Sequence, residues 1–77
     1  MMSPGNQKFS ALIVSLRRQL DLSQEDLARQ LGVSFATVNR WENAHNNPSK
    51  LAQAQVKAYC EKMCKSGKLV LSQEHEL

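Results

Sequence analysis

Cysteines and long apolar runs are both scarce in this 77-residue chain, and each scarcity excludes something. Its two cysteines, Cys60 and Cys64, are too few for a disulfide scaffold. Helix geometry does not favour a strain-free bond between residues four apart, so a reducing cytoplasm is the expected location. No stretch approaches the ~18 consecutive apolar residues needed to span a bilayer. Residues 1–8, MMSPGNQK, lack the apolar core of a secretory signal. The triplet Asn47-Pro48-Ser49 has proline in its middle position and so is no glycosylation acceptor. Gly-rich phosphate loops, nucleophile elbows and suitably paired carboxylates are absent from the sequence, which removes the usual signatures of catalysis. Cys60, Cys64 and His75 are metal-binding types, but the spacing C-x3-C-x10-H lacks a fourth ligand. Cys60 reads instead as a small core residue. No metal and no cofactor are expected.

What the chain does have is modest. Ten Lys and Arg face seven Asp and Glu, a net charge of +3 and a pI near 9.1. That balance favours approach to phosphates without proving it. Arg17, Arg18, Arg29, Arg40 and Lys50 are spread through the chain rather than gathered in a tail. The length allows one domain at most, with a limited core and little room for a substrate pocket, which points to a binding module rather than an enzyme.

Apolar periodicity divides the sequence into helices. Residues 1–8 hold Pro4 and Gly5 and read as a flexible lead-in. Phe9, Leu12, Ile13, Leu16 and Leu20 then recur at helical spacing, predicting a first helix over 9–19, with Asp21 in the break that follows. Ser23 is a candidate N-cap for a second helix, with Asp26 three positions on as its capping-box partner. Leu27, Ala28 and Leu31 form the inner face, and Gly32 suits a left-handed helix end. Val33 and Ser34 then introduce a third helix over 35–43, with Val38 and Trp41 on its apolar side and Val33 stapled against Val38. Residues 43–48 read as a loop. Ser49 caps a fourth helix running to about Cys64, ended by Ser66 and Gly67, for which Leu51, Ala54 and Ala58, with Tyr59 or Met63, are the expected core face. Residues 66–77, with a short apolar Leu69-Val70-Leu71, are a tail, a small strand or the start of a truncated segment. The helical domain is therefore expected over 9–65.

The second and third helices with the short break between them carry the functional argument. Counting from Gln24, Ala28 is fifth, where two crossing helices approach and a small side chain is needed. Gly32 is ninth, where a tight turn begins and glycine escapes the penalty for positive φ. Val33 and Val38 wedge the crossing. The ordered run Leu22-Ser23-Gln24-Glu25-Asp26-Leu27-Ala28, then Leu31-Gly32-Val33-Ser34, then Thr37-Val38-Asn39-Arg40-Trp41-Glu42-Asn43 resembles the Cro/phage-repressor (XRE) type of helix-turn-helix. The resemblance extends over about residues 9–60.

That resemblance implies an all-α, compact bundle of four or five helices of the lambda-repressor-like type, with the helix-turn-helix unit over about 24–43. It implies sequence-specific binding of double-stranded DNA by a transcriptional regulator, with the third helix in the major groove. Phe35, Ala36, Asn39 and Arg40 would face the bases. Gln24, Thr37, Asn43, His45 and Asn46 would lie near the backbone, Gln24 either touching a phosphate or bracing the recognition helix. Arg17 would pair with Glu42, and Ala28, Gly32, Val38 and Trp41 would support the unit from within. Arg40 has the chemistry to donate twice to guanine O6 and N7, and Asn39 to read adenine or hold a phosphate. Phe35 has two readings, contact with a thymine methyl or folding back onto the second helix. The resemblance further implies a homodimer, at least on DNA, paired around the fourth helix and the Leu69-Val70-Leu71 stretch. Two other roles fit the same residues: an antitoxin-like protein that also binds a protein partner, or the DNA-reading module of a larger DNA-modifying protein.

Overall fold

The computed structural model describes residues 4–44 and 48–70, with side chains from Lys8 onward. Over these residues the chain forms four helices, α1 (Pro4–Leu20), α2 (Gln24–Leu31), α3 (Phe35–Glu42) and α4 (Lys50–Lys65). The fold is all-α, as the sequence predicts.

The helix ends follow local chemistry. Ser23, Ser34 and Ser49 each stand in extended conformation before a helix, with the hydroxyl accepting a backbone N–H of the first turn. At α2 the capping box is complete, because the Asp26 carboxylate accepts in return from the Ser23 N–H at 3.2 Å. Hydrogen bonding to this carboxyl, first from the Ser23 N–H and then from the Ser23 side chain, holds it below its ordinary pKa. At the other end of α2, Gly32 adopts φ +73 and Val33 N–H returns to Ala28 O at 2.9 Å. A Cβ at Gly32 would meet nothing within 4 Å, so its backbone angle and not space is what demands glycine. Asp21 makes the same left-handed end to α1 with φ 55, an angle its short polar side chain tolerates.

One core joins all four helices. Phe9, Leu12, Ile13 and Leu16 of α1 meet Leu27, Ala28 and Leu31 of α2, Val38 and Trp41 of α3, and Val56 and Cys60 of α4. Phe9 and Trp41 meet edge to face, ring centres 5.4 Å apart at 88°, a favoured aromatic geometry. Val33 packs against the same core from the turn.

Three expectations change. The first helix begins at Pro4 rather than Phe9, so much of the expected lead-in is helical. Proline is well suited to a first turn, where its missing N–H has no intrahelical partner to lose. Leu20, at the end of the apolar stripe, is only half-buried. The largest change is the face of α4. Leu51, Ala54 and Ala58 are exposed, Leu51 by 73%, and the buried stripe is Val56 and Cys60 flanked by Ala52, Tyr59 and Met63. Both stripes have helical spacing, but the second carries more apolar volume and gains more from burial.

The segment after α4 also returns to the core. Gly67, at φ +77, turns the chain and Leu69 is buried. The Gln19 side-chain amide then clamps Val70, accepting from its N–H at 2.9 Å and donating to its carbonyl at 2.8 Å. Of residues 66–70, Leu69 is packed into the core while the other four stay exposed.

Candidate nucleic-acid interface

An eight-residue helix is not stable in isolation, so α3 must be held by its surroundings. Val38 and Trp41 anchor its inner side, with exposures of 0% and 8%. At about 100° per residue the side opposite those two carries Phe35, Ala36, Asn39, Arg40 and Asn43. Phe35, Ala36, Arg40 and Asn43 are exposed and Asn39 is half-buried. Phe35 keeps 48% of its surface open, so it does not withdraw into the core beside α2.

The far end of α3 is fixed to α1 by polar contacts. Arg17 donates through Nε and Nη2 to the two carboxylate oxygens of Glu42, at 2.5 and 2.9 Å, a bidentate ion pair between residues 25 apart in sequence. Its Nη1 donates to Leu22 O at 3.2 Å, which joins the α1–α2 turn to the same cluster. Ser10 Oγ donates to the backbone carbonyl of Glu42, one of the helix-end carbonyls that lack an intrahelical partner. Burial pushes the Glu42 carboxyl upward, but hydrogen bonds from Arg17 and Gln24 and the charges of Arg17 and Arg18 outweigh it, and the net shift is downward. The hydrogen bond to Glu42 likewise raises the Arg17 guanidinium. Gln24, at the first position of α2, also acts on the Glu42 carboxylate and so links the start of α2 to the end of α3.

Polar side chains on the outer side are partly paired among themselves. Asn43 Nδ2 donates to Asn39 Oδ1 at 2.8 Å. Thr37 Oγ1 lies 2.8 Å from Ser34 Oγ at the start of the helix. Arg40 makes no hydrogen bond or ion pair to another described side chain, and its guanidinium stands in solvent. Beside α3 runs an open groove of about 350 Å³, walled by Thr37, Arg40 and Trp41 on one side and by Pro48, Ser49, Leu51 and Gln55 on the other. Sequence reasoning missed Leu51 and Gln55 here; the Ser49 cap marked where α4 starts but not which of its sides lies along α3.

Of the expected site residues, Phe35, Ala36, Asn39, Arg40 and Asn43 share one side of α3, and Thr37 flanks it on the groove. Gln24 adjoins them through Glu42. Ala28, Val38 and Trp41 are buried behind them, and Gly32 makes the turn. His45 and Asn46 lie outside the described residues. Away from this surface, Cys60 is buried and its thiol is pushed up to about 11, chiefly by that burial, whereas Cys64 is exposed. His75, the third member of the weak metal pattern, also lies outside the described residues. Among the described residues no helix is long and apolar enough to cross a membrane.

A family model described as helix-turn-helix matches residues 13–52, just over half of the chain. Comparison with curated proteins and comparison with solved structures each returned no match. The matched span runs from the middle of α1 to the first turn of α4 and includes the whole α2–turn–α3 unit with both its caps. With its clamped, outward-facing third helix, the chain belongs to the helix-turn-helix family of the Cro/phage-repressor (XRE) type, a family of DNA-binding domains.

Proposed function

We propose that the protein reads a specific sequence in duplex DNA as a transcriptional regulator, with α3 lying in the major groove. The observation that carries this reading is the division of α3 between two jobs. Val38, Trp41 and the Glu42–Arg17 pair hold the helix from behind, while Phe35, Ala36, Asn39 and Arg40 stand outward on one arc. A B-form major groove is wide enough to admit one helix, and such an arc presents its side chains to base edges.

Arg40 is the principal reader in this scheme, because its fork matches guanine O6 and N7. Phe35 and Ala36 have only apolar surface to offer, which suits a thymine methyl. Gln24, Thr37, Asn43, His45 and Asn46 would fix the register of α3 by contacts to phosphates, a role that positions without specifying sequence. Two copies of the chain bind as a pair, each taking one half-site about one helical turn from the other.

Selection from a random duplex library, followed by anisotropy titration of the enriched and scrambled sequences at two salt concentrations, tests this. An enriched motif bound about 10³-fold tighter than scrambled DNA is expected, and a palindromic motif supports the pair. Arg40→Ala should cost about 1–3 kcal/mol of specific affinity and leave thermal stability unchanged. Weak, salt-sensitive binding with no enriched motif would reduce the surface to a merely basic one and defeat the proposal.

A further inference from the structure

We infer that Phe35 and Ala36 form a methyl-reading patch, so that the protein distinguishes 5-methylcytosine from cytosine at one position of its site. The inference rests on the function proposed above and narrows the ligand: duplex DNA in which a pyrimidine C5 position is read, methylated cytosine included.

Of the large apolar side chains exposed among the described residues, Phe35, Leu51 and Val70, only Phe35 stands on the outward arc of α3, with 48% of its surface open. The inner side of the helix is already filled by Val38 and Trp41, and Phe9 packs edge to face with the indole. Ala36 follows Phe35 on the same arc and is also exposed. Ser34 Oγ accepts from Thr37 N–H at 3.1 Å and so fixes the first turn, from which both side chains project. In a docked helix-turn-helix, the start of the recognition helix is the part that meets base edges.

A phenyl ring and a methyl group neither donate nor accept a side-chain hydrogen bond. They do not sense thymine O4 or the cytosine N4 amine, the groups that separate these bases by hydrogen bonding. What remains on a pyrimidine's major-groove edge is C5. Thymine carries a methyl there, whereas cytosine and uracil carry hydrogen. Methylating cytosine puts the same group at the same place and leaves the N4 amine and the pairing edge unchanged. The patch covers that methyl in either base and gains by the same transfer of apolar surface out of water. Thymine against uracil and 5-methylcytosine against cytosine are thus one comparison made twice, because the members of each pair differ only in the methyl. Whatever Asn39 and Arg40 read by hydrogen bonding cancels within each pair.

The experiment scans every pyrimidine, on both strands, of the motif that the whole chain selects. Anisotropy titrations compare thymine with uracil and cytosine with 5-methylcytosine at each position in turn, with the partner purine adjusted. At one position read by each copy, uracil should bind about fourfold more weakly than thymine, and 5-methylcytosine about fourfold more tightly than cytosine, the value of one buried methyl. Both ratios should fall to near one in Phe35→Ala. They should persist in Phe35→Leu, which keeps an apolar side chain at that place. Each ratio is taken within one protein, so a variant with some of its molecules unfolded still gives a valid value.

Ratios near one at every pyrimidine in the wild type overturn the inference. So does a methyl effect that survives Phe35→Ala undiminished, since that assigns it to another contact. In both cases a motif exists and the proposed function stands. If wild type enriches no motif, that function fails and the inference with it.

Discussion

The two helices that flank the groove, α3 and α4, are held in opposite ways. α3 has eight residues and depends on its surroundings at every level: Val38 and Trp41 buried behind it, Arg17 and Ser10 tying its last residue to α1. α4 has sixteen residues, caps at both ends, and only Val56 and Cys60 fully buried. Its opposite side carries Leu51, Ala54 and Ala58 into solvent. The shorter helix is the more constrained, because a helix of two turns has almost no stability of its own. A reading helix gains from that arrangement. Its side chains are aimed by contacts behind it, so under the proposed function the outward face can be chosen for chemistry rather than for stability.

The contrast can be broken most forcefully at Trp41. Trp41→Ala removes the ring that meets Phe9 and should destabilise the domain by about 3–5 kcal/mol. Urea denaturation followed by circular dichroism measures this, and near-wild-type stability would mean that α3 is not anchored as described.

On α4 a matched pair of substitutions sharpens the comparison. Val56→Ala should cost about 2 kcal/mol, from two buried carbons at about 0.8 kcal/mol each and the cavity they leave. Leu51→Ala, a larger truncation on the exposed side, should stay within about 0.5 kcal/mol. Equal costs in the same denaturation series would show that something covers Leu51 in solution.

The tie between α1 and α3 should appear as pH dependence. The folded Glu42 carboxyl lies below its usual pKa, so the unfolded chain takes up a proton first as pH falls. Its stabilising contribution is full above the usual glutamate value of about 4.3 and is lost as pH drops through the lowered folded value. Asp26 shifts in the same direction through its capping box, so a Glu42→Gln variant retains some acid sensitivity from that site. Glu42→Gln should therefore cost stability at neutral pH, about 1–3 kcal/mol for a pair between surface and buried in character, and show a shallower loss between pH 5 and 3. Parallel stability curves for the two proteins would assign the acid sensitivity elsewhere.

The smallest effect distinguishes the two cysteines of α4. Cys64 is exposed and Cys60 buried with its thiol raised to about 11. A thiol-specific reagent at neutral pH should modify one group in the folded protein and two in denaturant. A raised thiol pKa also means that Cys60 supports folding below the unfolded thiol's value and that this contribution fades as pH rises toward the folded one. Rapid modification of both thiols under native conditions would place Cys60 at the surface.

How far the site can be read in the sequence differs between these same elements. The serine caps, the glycine turn and the inner side of α3 are local: each depends on residues within a few positions, and each appears where the spacing predicts. The Arg17–Glu42 pair came from family resemblance, since no local pattern links residues 25 apart. The Gln19 clamp on Val70 spans 51 residues and left no signal of any kind, because a glutamine on an exposed helix face looks the same whether or not it has a partner.

By itself, then, the sequence determined that there are helices here, where most of them start and stop, and which side of α3 is inward. Hydrogen-bond chemistry at a cap and apolar spacing on a short helix act over one or two turns, so they are legible one segment at a time. Only the tertiary structure decided which of two apolar stripes on α4 enters the core and that the chain beyond it returns to α1. It also decided that the amides of Asn39 and Asn43 pair with each other. Those outcomes depend on how separate surfaces meet or on which of several open partners a side chain takes, and the competing arrangements differ in packing and orientation rather than in any local preference of the chain.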